Sequence, residues 1–174
     1  IFIEEKTYNH IQLESSRFEK IEQGMDKGVG LRLIIPWKSF FASTNSFEED
    51  ELIHLSRVLN VSADENKELY IREASRKKAK YPFSLGIEPQ EVEVKRKLEM
   101  VQRADRQARN LEKRIKQVRI IYRDTKQKIT IHNSDNELID DERDQIVFSI
   151  FVVGEDKAEM QTSYDAIGGF YGFE

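Results

Sequence analysis

The chain contains no cysteine, only three prolines and a single tryptophan in 174 residues. Lacking cysteine, it has no disulfide scaffold, no thiolate zinc site and no thiol nucleophile. It also lacks a dominant charge: 28 basic residues oppose 32 acidic ones, for a net charge of −4. That mixed, slightly acidic balance speaks against a protein whose business is DNA or an anionic membrane surface. No apolar run approaches a membrane span, and no secretory leader pattern is present. Abundant Lys, Arg and Glu without cysteine fits a heat-adapted cytoplasmic protein. The chain starts Ile1-Phe2-Ile3 without Met and closes on a glycine-aromatic run, and we read it as a fragment of a longer protein.

The densest local signals lie between Gly28 and Asn45. Val29, Leu31, Leu33 and Ile35 alternate as in a strand with one face on a core. Pro36 stops it, because proline has no N–H for the ladder and suits the second position of a turn. Phe40–Ser43 then runs back antiparallel, and Ser46 with Glu49 forms an S-x-x-E capping box opening a helix from Phe47 to about Leu59. Upstream, residues 1–8 predict one strand and His10–Gln23 a second, with a turn or bulge at Ser15-Ser16 where the apolar phase changes. Gly24 to Gly28 reads as a glycine-bounded turn.

Residues 61–88 are polar, punctuated by Pro82 and Gly86, and carry the basic run Arg76, Lys77, Lys78, Lys80. They read as a connector with an extended piece at Glu68–Arg72; an anionic partner for the run is the alternative, and a solvated linker is preferred because acids flank it. Pro89 introduces the longest helix, Gln90 to about Ile115, with Val94, Leu98, Val101, Ala104, Ala108, Leu111 and Ile115 on one stripe. Strands resume at Val118–Tyr122 and Ile129–Ile131. Asn133–Asn136 turns, Leu138-Ile139 returns, and Gln145–Val153 is apolar on both faces, as in a strand covered on both sides. Gly154–Lys157 turns again, and Met160, Thr162 and Tyr164 alternate on the way back.

The fold class is therefore α+β: two similar antiparallel β-rich units, with one long and one shorter helix packed on the sheet. The expected organisation is one domain over 1–174, with a first unit and helix at 1–60, a connector at 61–89, and a helix and second unit at 90–174.

Catalytic constellations are missing. His10, His54 and His132 fall on separate elements, with no H-E-x-x-H, so none is a metal or catalytic candidate. Asp140, Asp141, Glu142 and Asp144 could attract a hard cation but lack the spacing of a calcium loop, and a solvated hairpin end is preferred. Gly28-x-Gly30 precedes a strand, so it is no dinucleotide fingerprint, and Ser43 has no elbow glycines.

Gly28-Val29-Gly30-Leu31-Arg32 followed by Phe41-Ala42-Ser43-Thr44-Asn45 resembles the TldD/PmbA family, metalloproteases also described as modulators of DNA gyrase. The second half agrees in family order: the Glu91–Ile115 helix, Ile129–Asn133, Asp141-Glu142-Arg143, Val153-Gly154-Glu155-Asp156, and Ser163-Tyr164 leading to Gly168-Gly169. Phe40, where the family usually has glycine, and the turn Pro36-Trp37-Lys38-Ser39 depart from it. The resemblance implies the non-catalytic N-terminal domain of a TldD-like zinc peptidase acting on unfolded or small peptides, forming cleft wall and subunit contacts. It implies a TldE/PmbA-like partner subunit or a homodimer, zinc in the parent protein, and no DNA or membrane partner. The family's H-E-x-x-x-H is absent from these residues, so no catalytic or metal residue is carried over and the catalytic part is expected elsewhere in the parent. The alternative is a PmbA/TldE-like binding or regulatory subunit. Gly168, Gly169 and Phe170 are the candidate peptide-cleft backbone, since glycine permits close approach; the rival reading of that segment is a flexible end.

Overall fold

The computed structural model describes residues 1–63, 75–79, 86–157, 159–170, 172 and 173. Among these residues seven strands form a single sheet: β1 Phe2–Glu14, β2 Arg17–Ile35, β3 Lys38–Thr44, β4 Ser75–Lys78, β5 Ile115–His132, β6 Glu137–Asp156 and β7 Glu159–Gly169. The helices are α1 Glu49–Ala63 and α2 Val94–Leu111, with a single 3-10 turn at Pro89–Glu91 ahead of α2. The strand order is β3-β2-β1-β5-β6-β4, and β7 also pairs with β6. The protein is thus α+β, with one longer and one shorter helix. Pairing is antiparallel for β2 with β3 and β6 with β7, while the short β4 runs parallel to β6. The expected extended piece at Glu68–Arg72 lies outside the described residues.

Two compact units emerge, and the long strands β1, β2, β5 and β6 each give residues to both. The first comprises Ile1–Lys6, Met25–Tyr81 and Gln127–Glu142. Here the β2–β3 hairpin is as the sequence predicts, with Leu31 opposite Ala42 and Leu33 opposite Phe40. Its tip needs Trp37 at φ 65°, the left-handed conformation of a tight turn. Val29 and Leu31 are buried, and Leu59 buries the stripe of α1, which packs on β3. The cap differs from the expected box: the Ser46 hydroxyl accepts from the Glu48 N–H at 3.2 Å, and Thr44 Oγ1 accepts from the Ser46 N–H at 3.1 Å. The basic run read as linker contains β4, whose residues ion-pair with β6.

The second unit comprises Thr7–Gly24, Pro82–Lys126 and Arg143–Glu174. Its core is Ile11, Leu13, Val92, Val101, Ala108, Val118, Ile120, Tyr122 and Phe173. Leu98 and Ala104 complete the stripe of α2 against that core. The helix is shorter than expected: Val92 and Glu93 are extended before it, Leu111 is 84% exposed, and Ile115 already belongs to β5. The turn at Ser15-Ser16 is real, both residues having positive φ as a two-residue hairpin requires.

Two expectations fail for identifiable reasons, and a third is met. No break separates residues 1–8 from His10; β1 is continuous because Asn9 stands in phase with Ile11 and Leu13 and is buried as they are. Gly24–Gly28 is no turn but the middle of β2. Gly24 is there for space, since a Cβ would come 2.4 Å from the Tyr8 ring. The apolar run of β6 is covered on both faces over most of its length: Phe148, Ile150 and Val152 pack on the core, and on the opposite face Ser149 and Val153 are buried while Val147 is 42% exposed.

Candidate functional site

β7 is bonded on one side only. Its eleven residues pair antiparallel with β6 from Ile146↔Gly169 to Asp156↔Glu159, and no other described strand joins it. All of them but Gly169 are exposed. Met160 and Tyr164 project from one face and Ile167 from the other, each about two-thirds exposed. The free edge therefore offers backbone N–H and C=O groups beside apolar and aromatic side chains, the arrangement onto which an extended peptide adds as a further strand.

The expected cleft residues lie at the end of this edge. Gly168 pairs with Val147 and Gly169 with Ile146. A Cβ on Gly168 would meet Val147 Cγ2 at 3.1 Å and the Ile146 carbonyl at 3.2 Å, so the glycine lets β7 lie close on β6. Phe170 follows, 37% exposed. Beyond it Phe173 is buried, its N–H donates to the Ile87 carbonyl at 2.9 Å, and its ring meets Tyr122 edge-on at 6.0 Å. The Arg96 guanidinium also lies over this ring, 5.5 Å from its centre.

Behind this anchor is a polar cluster. Lys97 from α2 and Asp124 from β5 are both fully buried, Nζ lying 2.7 Å from Oδ2. The other carboxylate oxygen accepts from Asn9 Nδ2 at 2.7 Å and from Gln90 Nε2 at 2.5 Å. Gln23 in turn donates to Asn9 Oδ1 at 2.7 Å. Lys97 Nζ also sits 6.0 Å from the Tyr122 ring centre. Burial, with the Asp124 carboxylate nearby, pushes the Tyr122 phenol well above its ordinary range. A second buried carboxylate, Asp105, accepts from Ser16 Oγ at 2.6 Å and from Arg109 Nε at 3.1 Å, tying the Ser15-Ser16 turn to α2. These charges went unpredicted, yet both helical ones are in phase with the core. Lys97 precedes Val101 by four residues, Asp105 follows it by four, and Asp124 alternates with Val118, Ile120 and Tyr122. A charge in register with a core stripe was the available signal.

The three histidines stand on separate elements. His10 faces Glu22 at 3.9 Å from β1, held below its ordinary pKa by burial and then by Arg123 and Lys20. His54 is exposed on α1 and His132 ends β5. Of the acidic run, Asp140 pairs with Arg76 at 2.5 Å, and Asp144 is buried 3.9 Å from Lys126; both lie within β6 rather than at a hairpin end. Among the described residues no three His, Asp or Glu side chains are grouped to hold a metal. These residues do not fit a zinc site. No described helix is long and apolar enough to cross a membrane.

Fold and edge together define an α+β chain of long paired strands in which, among the described residues, β7 is joined on one side only. Two family models match it: PmbA/TldA metallopeptidase domain 1 over residues 1–61 and the PmbA/TldA metallopeptidase central domain over 87–174. The chain belongs to the PmbA/TldA metallopeptidase family. It is similar to a crystal structure from Thermotoga maritima described as a modulator of a DNA gyrase, at TM-score 0.78 and 16% identity over 98% of this chain and 39% of that one. A modulator of DNA gyrase from Bacteroides thetaiotaomicron gives TM-score 0.74 and 15% identity over 98% and 40%. TldE from Thermococcus kodakarensis gives 0.69 and 12% over 97% and 39%. At such identities the likeness is one of fold, and the chain spans about two-fifths of the length of these structures. No curated protein matches it.

Proposed function

We propose that these residues are the non-catalytic, substrate-holding part of a TldD-like zinc metallopeptidase that degrades unfolded or small peptides. The observation that carries this is the one-sided pairing of β7 along its whole length. Strand addition takes its affinity from main-chain hydrogen bonds and so tolerates varied sequences, which suits a peptidase of unfolded chains. Gly168, Gly169 and Phe170 would form one end of the cleft wall, braced by the Phe173 anchor. The metal would be held by other parts of the parent protein, because the grouping it needs is absent from the described residues. Subunit contacts with a TldE/PmbA-like partner or a second copy complete the proposal.

An extended decapeptide added to the 174-residue chain should slow hydrogen exchange in β7. The same peptide N-methylated at every residue should not, since neither of its edges can donate to the ladder. Binding that leaves β7 unprotected would overturn the assignment of this edge. Zinc content and chelator-sensitive cleavage in the full-length protein, assayed with its partner subunit, test the wider reading. A full-length protein without metal would instead identify the PmbA/TldE-like subunit.

A further inference from the structure

The basic run finds its anion within the chain. Four residues, Ser75–Lys78, lie parallel to β6 in register with Glu137–Asp140. The Ser75 N–H donates to the Asn136 carbonyl at 2.9 Å and the Ala79 N–H to the Asp140 carbonyl at 2.8 Å. Lys77 Nζ donates to Glu137 Oε1 at 2.9 Å and Arg76 Nε to Asp140 Oδ2 at 2.5 Å. All four strand residues are exposed, and among the described residues edge hydrogen bonds and solvated ion pairs hold them. Such pairs contribute little each, and a strand so held detaches locally at small cost.

The receiving edge, by contrast, is built independently of its occupant. Glu137 Oε2 accepts from Asn133 Nδ2 at 3.1 Å, and Asp140 Oδ1 accepts from Thr130 Oγ1 at 2.8 Å. Each carboxylate is thus oriented by a neutral donor and keeps its second oxygen for a cation. Asn133 is fixed in turn by the Asp135 and Glu137 N–H groups, both 3.1 Å from its Oδ1.

We infer that the β6 edge at Glu137–Asp140 is a recognition site for basic, extended peptide segments. Ser75–Lys78 is its resident occupant, a strap that a segment of the same chemistry displaces. Backbone bonds supply the extended geometry, and the two carboxylates select adjacent cationic side chains. The site is separate from the β7 edge and does not depend on the function proposed for it.

The test uses a fluorescent peptide of sequence ASRKKA, acetylated and amidated, with the 174-residue chain. In the native chain, binding should be weak because the site is filled. The double variant Arg76→Ala, Lys77→Ala should lose exchange protection at Ser75 and Ala79 and bind the peptide roughly tenfold more tightly, the scale of two exposed ion pairs. Adding Glu137→Gln and Asp140→Asn should abolish that gain, as should raised salt. Arg76→Glu, Lys77→Glu serves as a second way of freeing the strap. Three results would each overturn the inference: a strap that stays protected without its cations, a freed edge that gains no binding, or binding that survives loss of both carboxylates.

Discussion

Lys97 and Asp124 form an ion pair 2.7 Å long between α2 and β5, with neither side chain reaching solvent. Removing one partner strands the other charge in a low-dielectric interior. Lys97→Met and Asp124→Asn should each destabilise the second unit by about 3–5 kcal/mol. The double variant should lose less than the sum, because it buries no unpaired charge. Urea unfolding of the four proteins measures this, and strict additivity would mean that the pair is not coupled.

Tyr122 makes the fold sensitive to alkali. Its folded-state pKa is raised, by burial first and then by Asp124. A raised pKa contributes stability that is fully present below the unfolded value, about 10, and is lost as pH rises beyond it. Unfolding midpoints should therefore fall above about pH 10, with tyrosinate absorbance from Tyr122 appearing only on unfolding. Tyr122→Phe should flatten that part of the profile.

Asp105 ties the hairpin turn to the helix through Ser16 and Arg109. Asp105→Ala should cost about 1.5–3 kcal/mol, the range for hydrogen bonds to a charged group. Exchange should rise first at Ser15 and Ser16. Unchanged exchange there would show that the turn holds itself.

Phe173 anchors the closing segment on Tyr122. Phe173→Ala should cost up to about 3–5 kcal/mol, less if the end peels away locally. Loss of protection at the Phe173 amide should accompany it. Gly168→Val should destabilise β7 by about 1–3 kcal/mol, because its side chain would be forced onto Val147 and the Ile146 carbonyl.

Much of the architecture is readable from neighbours in sequence. Alternation at Val29–Ile35, the Pro36-Trp37 turn, the paired serines at 15 and 16 and the stripe from Val94 to Ala108 each report a local preference that the fold honours. The TldD/PmbA resemblance, too, was carried by short motifs in order. What misled were residues whose role is long-range. Gly24 resembles a turn glycine until the Tyr8 ring is seen against it, and Asn9 resembles a strand break until Asp124, 115 residues away, satisfies it.

The sequence by itself determined which segments extend, which coil, where hairpins reverse, and the family to which the chain belongs. Only the tertiary structure decided that Arg76 and Lys77 meet Asp140 and Glu137, that Lys97 finds Asp124, and that β7 pairs with β6 alone among the described strands. The physical reason is that turns and helices are set by bonds between near neighbours. The partner of a strand edge or a buried charge is set by whichever distant segment completes its hydrogen bonds, and no local pattern records that choice.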